Sequence, residues 1–219
     1  MKPSLLGLIY ASMVVLALGG CGRGLDSWLE QIESEGNPDR RREGVLELMQ
    51  QRVSKSDAAV RLFALVAKSD RDPTVRSAAV QAMGESANVK AVAPLTAALT
   101  NDSDTQVRID AAVALGKVRG PDAVRPLLSR LRQDQVSDVQ AACARSLGEY
   151  PYPTVVQALV AAMLNDDFSI VFEAQQSLQK LTGESFQTGR AWQSWLDENG
   201  DPFASVKLLP KPPESSPKE

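Results

Sequence analysis

The sequence predicts an all-α protein, specifically an α-solenoid of stacked helical hairpins. Three observations point to that class. A short phrase returns at a fixed interval: VRSAAVQAMG from Val75, VRIDAAVALG from Val107 and VQAACARSLG from Val139, a period of 32 residues. Within each copy the apolar residues recur every fourth position, which marks one stripe of a helix. Only 5% of the chain is aromatic while 43% is hydrophobic, so the core is made mainly of Ala, Val and Leu, side chains small enough for helices to approach closely.

The first stripe of each unit is Val75/Ala79/Met83, then Val107/Ala111/Leu115, then Val139/Cys143/Leu147. A fainter copy, Ile170/Ala174/Leu178, begins one residue early. A second series supplies the partner helix at the same interval: Val60/Leu62/Phe63, Val92/Pro94/Leu95, Val124/Pro126/Leu127 and Val156/Ala158/Leu159. A period of this length holds two helices of about a dozen residues and two turns. Asp72, Asp104 and Asp167 precede the first helices as N-caps, with Pro73 at the first helical position. Gly84, Gly116 and Gly148 are expected to close those helices in the left-handed backbone of a C-cap. Asn88, Pro121, Pro151 and Pro153 mark the turns within the hairpins.

The ends read differently. Residues 1–20 have the form of a signal peptide: Lys2 supplies charge, and Leu5 to Leu18 is an apolar run too short for an ordinary spanning helix. Leu18-Gly19-Gly20-Cys21 resembles a bacterial lipobox. In such proteins the cysteine sulfur is lipidated and becomes the acylated, palmitate-bearing N-terminus, so the resemblance implies that Cys21 is the lipid attachment site. A plain secretory signal or an uncleaved anchor is the alternative. Residue 22 is Gly and not the Asp associated with inner-membrane retention, so the outer membrane is favoured slightly, with the protein on the periplasmic side.

Residues 21–37 form a short tether and a capping helix (LDSWLEQIES, 25–34). Residues 38–186 carry four to five repeat units, the first irregular. Residues 187–202 give a closing helix in which Trp192 and Trp195 share a face and seal the last unit, with an aromatic docking patch as the sharper alternative. Residues 203–219 contain prolines at 210, 212, 213 and 217 and have the composition of a disordered tail.

The copies DPTVRSAAVQAMGESANVKAVAPLTAAL and DTQVRIDAAVALGKVRGPDAVRPLLSRL resemble short HEAT repeats of the type found in phycobilin lyases. With LTGESF (181–186) and AWQSWL (191–196), the whole arrangement is similar to HEAT-repeat lipoproteins of planctomycete-like bacteria. The resemblance implies a protein-binding scaffold more than an enzyme.

The chain has no histidine, which removes Ser-His-Asp and Cys-His nucleophiles and ordinary zinc and iron sites. A formal charge of −3 provides no electrostatic reason for a nucleic-acid partner. No catalytic residue, metal or cofactor is expected. Arg76 and Arg108 follow the stripe valines and are expected to form an inter-repeat ladder with Asp72 and Asp104, lapsing where Gln140 and then Phe172 take the place of the arginine. Lys117, Arg119, Arg125, Arg130 and Arg132 read as a solvated helix face or as a basic patch. The Asn/Asp clusters at 101–104 and 165–167 read as turns and caps and not as calcium loops. Cys143 reads as a small core residue.

The expected function is a non-enzymatic, membrane-anchored scaffold of the bacterial envelope. It would recognise another envelope protein through exposed positions of the second helices, with Lys90, Arg125, Arg130 and Gln157 as candidate contacts. A bilin-lyase-like chaperone or transferase, and a purely structural envelope component, are the alternatives.

Overall fold

All twelve residues of the four first-helix stripes are buried, none more than 2% exposed. That burial organises the computed structural model, which describes residues 31, 32, 34, 36–200 and 203. Every regular element among the described residues is helical. The fold class is all-α, a helical-repeat solenoid of stacked hairpins. By contacts the chain divides into two units, Met1–Ala114 and Leu115–Glu219. Residues 1–20, Cys21, most of the 21–37 segment and the 203–219 segment apart from Phe203, which is buried, lie outside the described residues.

In the first unit α1 spans Pro38–Gln50 and α2 spans Asp57–Ser69. Then come α3, Pro73–Glu85, and α4, Val92–Asn101. Helix α5, Thr105–Val118, begins in this unit. Side-chain caps set the starts: Asn37 accepts from the Asp39 and Arg40 N–H groups, Ser56 from Ala59, and Asp72 from Thr74. Each replaces a partner that the first turn of a helix lacks. First helices pack on first helices, α1 on α3, and second on second, α2 on α4, while α2 also lies against α3. Val45, Leu48, Phe63, Val75, Met83, Leu95 and Leu99 fill the space between them. Of the segment before α1, Ile32 is buried and Gln31 donates to Glu47 at 3.2 Å.

In the second unit α6 spans Val124–Gln133, α7 Ser137–Leu147, α8 Pro153–Ala162, α9 Phe168–Thr182 and α10 Gly189–Asn199. Again like packs on like: α7 on α9 and α6 on α8, with α10 closing over α8. The indole of Trp192 is wholly enclosed, edge-on to Phe186 at 4.9 Å and to Trp195 at 5.7 Å, and its N–H donates to the Phe186 carbonyl at 3.1 Å. Trp195 is half-buried beside it. Tyr150 is buried with its hydroxyl donating to the Leu115 carbonyl at 2.6 Å.

The repeat glycines do not act as left-handed caps. Gly84 sits inside α3, Gly116 inside α5, and Gly148 follows α7 with φ −61°. Left-handed backbone falls instead on Ala87 and Arg119, at φ 50° and 55°, and on Gly183, which does close α9 at φ 77°. What the three repeat glycines supply is the absence of a side chain. A Cβ on Gly84 would meet the Ala114 Cβ at 2.8 Å and its Cα at 2.9 Å; on Gly116 it would meet the Ser146 Cβ at 3.1 Å; on Gly148, the Ser177 Oγ at 2.7 Å. Close helix approach is the reason these positions are glycine.

Candidate functional site

Arginine organises the loops of the first unit, with a different acid from the one expected. Arg76 grips Asp102 with two parallel bonds, Nε–Oδ2 at 2.8 Å and Nη2–Oδ1 at 2.7 Å, and both side chains are mostly buried. Its remaining prong donates to the Asp70 and Arg71 carbonyls at 3.1 and 3.3 Å, satisfying the end of α2. Asp72 and Asp104 serve as caps: Asp72 takes the Thr74 N–H and hydroxyl, and Asp104 takes the Val107 N–H at 3.1 Å. The reason is direction: a carboxylate that caps its own helix points along that helix, whereas Asp102, at the C-cap of α4, points back toward α3.

One unit earlier Arg41 repeats the grip on Asp70, at 2.8 and 2.9 Å. Arg108 repeats the carbonyl contacts, donating to Asp102 O at 3.1 Å and Ser103 O at 3.3 Å. Asp70, Asp102 and Asp134 are separated by 32 residues, a spacing that marks these acids in the sequence itself. In the second unit Gln140 keeps only a carbonyl contact, to Asp134 O at 2.6 Å. Because the last stripe starts at Ile170, the position after it is Val171; Phe172, offered as the arginine's replacement, is exposed one place further on.

Electrostatics follow from this geometry. Burial by itself would raise the Asp102 carboxyl, but the bonds from Arg76 and the Asp104 N–H outweigh it and hold the group below the usual carboxylate range. The Arg76 guanidinium is pushed up, chiefly by its bond to Asp102. Glu149 behaves alike: burial opposes its charge, yet Lys180 and Arg119 bring it below its ordinary value.

The candidate contacts are placed as follows. In the first unit Lys90 is exposed but its ammonium reaches Asp57 at 2.5 Å. In the second, Arg125 and Gln157 are exposed on α6 and α8, whereas Arg130 is half-buried and turned toward Asp134 at 3.9 Å. Arg119 of the basic run is paired with Glu149. At 165–167, Asn165 accepts the Asp167 N–H at 2.8 Å and Asp167 caps Ser169.

Cys143 is fully buried, and desolvation drives its thiol far above the ordinary value. A second polar cluster joins α3 to α5, where the Ser77 hydroxyl and the Gln81 and Gln106 amides all donate to Asp110. An open groove of about 380 Å³ lies beside it. A larger groove, about 680 Å³, runs between α2 and α4 and involves residues no motif had marked, Arg61 and Lys68 among them. No described helix is long and apolar enough to cross a membrane.

Stacked helical hairpins with a fixed repeat, arginine-clamped turns and glycine-tight seams define a helical-repeat protein. The family model described as HEAT repeats matches residues 25–116 and 92–179, and the chain belongs to that family. Among solved structures it is similar to the complex of CpcE and CpcF of phycocyanin lyase from Nostoc sp. PCC7120, at 18% identity over 86% of this chain and 69% of that one, with a TM-score of 0.58. It is also similar to an engineered protein at 18% identity, 80% and 85% coverage and a TM-score of 0.49. The likeness to the CpcE and CpcF complex concerns the fold alone. No curated protein matches the chain.

Proposed function

We propose that the protein is a non-enzymatic, protein-binding scaffold of the bacterial cell envelope, held on the periplasmic side of a membrane by lipid on Cys21. The observation that carries the binding part is its membership of the HEAT-repeat family, with second helices that expose polar side chains such as Arg125 and Gln157 over a buried apolar seam. Stacked hairpins present long rigid surfaces at little entropic cost on binding. The anchoring part is supported by Leu18-Gly19-Gly20-Cys21 following an apolar run. Several acyl chains, at roughly 0.8 kcal/mol per buried methylene, would hold the chain firmly.

Affinity capture from detergent-solubilised envelopes, with mass analysis of the mature N-terminus, tests both parts. A stoichiometric partner and an acylated Cys21 are the expected outcome. A mature mass without acyl groups removes the anchor, and capture of copies of the chain alone turns the reading toward a structural envelope component. The bilin-lyase-like alternative draws on the fold likeness to the CpcE–CpcF complex and calls for a reachable thiol, whereas Cys143 is enclosed.

A further inference from the structure

Helix α2 presents Arg61, Ala64, Leu65 and Lys68 to the larger groove, at the i, i+3, i+4, i+7 spacing of a single helix face. Helix α4 answers with Pro94, Ala97, Ala98 and Asn101 at the same spacing. Apart from Ala98, which is buried, this stripe is not the one that fills the core, which is formed by Phe63 and Val66 on α2 and by Leu95 and Leu99 on α4. The groove exists because the middle of each wall is small, with Ala64 and Ala67 on α2 and Ala97 and Ala98 on α4.

Its charge is one-sided. Arg61 and Lys68 are exposed on the α2 rim with no hydrogen-bond or ion-pair partner at bonding distance among the described residues, although Arg61 helps to hold the Asp57 carboxyl, one turn away, below its usual range. Their neighbours are committed: Arg41 to Asp70, Arg76 to Asp102 and Lys90 to Asp57. The α4 side ends in Asn101 and Asp102, the latter mostly buried and neutralised by Arg76. Seven residues of helix separate the two open cations, roughly 10 Å or two turns.

We infer that this groove is the docking site for an amphipathic helix of a partner protein, acidic along one flank, with carboxylates two turns apart facing Arg61 and Lys68. The inference rests on the scaffold reading above and gives it a surface and a ligand chemistry. A helix fits where an extended peptide does not. The groove walls are helices whose backbone groups are already bonded, so the main chain of an extended peptide would have only a few rim side chains such as Asn101 to bond to, while a helix satisfies its own. A ridge of small or aliphatic side chains matches an alanine-lined trough. An anionic membrane surface is matched by clusters of four to eight cations, more than the two present on this rim.

The test is selection of a displayed random peptide library on the full chain. Enriched peptides are expected to read as helices with an aliphatic stripe and acidic residues seven apart. Arg61→Glu/Lys68→Glu should weaken them about tenfold, and Ala97→Trp should abolish binding by filling the trough. Both changes lie on exposed helix positions, so helicity and unfolding midpoint serve as the folding control. Peptides that bind these variants as tightly as the parent overturn the inference, as does a library that enriches nothing. So does a charge-reversed variant that loses only binding to phosphatidylglycerol vesicles. Envelope capture separates the two claims. A partner retained by the variants removes the groove but leaves the scaffold; no partner for any chain removes the scaffold as well.

Discussion

Arg76 and Asp102, 26 positions apart in sequence, meet through two parallel bonds of 2.7 and 2.8 Å with both side chains mostly out of water. The pair links the start of α3 to the end of α4, and the third prong of Arg76 ties in the end of α2. One side chain therefore fixes three helix termini.

Asp102→Ala should accordingly cost more than Asp104→Ala. The first leaves a guanidinium mostly buried without its counter-charge and should destabilise by about 2–3 kcal/mol. The second removes a helix cap, about 1 kcal/mol. Urea denaturation of the two variants measures the difference, and equal costs would restore Asp104 as the partner.

Acid should weaken the fold along a particular limb. Asp102 and Glu149 have folded values below their unfolded ones. Such groups stabilise the folded chain above the unfolded pKa and lose that contribution as pH falls through the lowered value. Stability should be nearly flat from about pH 5 to 8 and decline below about pH 4. Asp102→Asn should lower the plateau and flatten the decline, as read from urea midpoints across pH.

Gly84→Ala should destabilise although alanine is the better helix former. The gain in propensity is about 1 kcal/mol; the added Cβ would lie 2.9 Å from the Ala114 Cα, a backbone atom that cannot turn aside. Overpacking of this kind costs about 1–3 kcal/mol. A thermal midpoint unchanged or raised would mean the seam yields.

Cys143 should resist thiol reagents in the native chain. It has no exposed surface, and burial keeps its thiol protonated. In a Cys21→Ser variant, labelling should appear only as urea unfolds the chain. Prompt labelling without denaturant would favour the lyase-like reading.

The hairpin architecture was legible because burial obeys the period: Val75, Val107 and Val139 all lie in the core. The N-caps were legible too, since Asp72 and Asp167 act on atoms two residues away. What could not be read locally was which distant group a charge meets. Arg76 chose Asp102 over Asp104 by direction in space; Asp70/Asp102/Asp134 and Asp72/Asp104 both recur at 32 residues, so the period marks both acids without separating them. The glycines misled for a related reason. Near a helix end Gly84 is equally compatible with a left-handed turn and with a close neighbour, and only the position of Ala114 decides. The α2–α4 groove stayed hidden because alanines at 64 and 97 carry no chemistry of their own; they matter by what they leave empty.

The contacts at Gly84, Gly116 and Gly148 have a consequence for how such a chain changes over generations. Glycine is already the smallest residue, so every point substitution at these places adds atoms to a seam that is already tight. Variation is thereby driven outward, onto the solvent-facing sides of the helices, where sequence can drift or adapt while the spacing between hairpins is preserved.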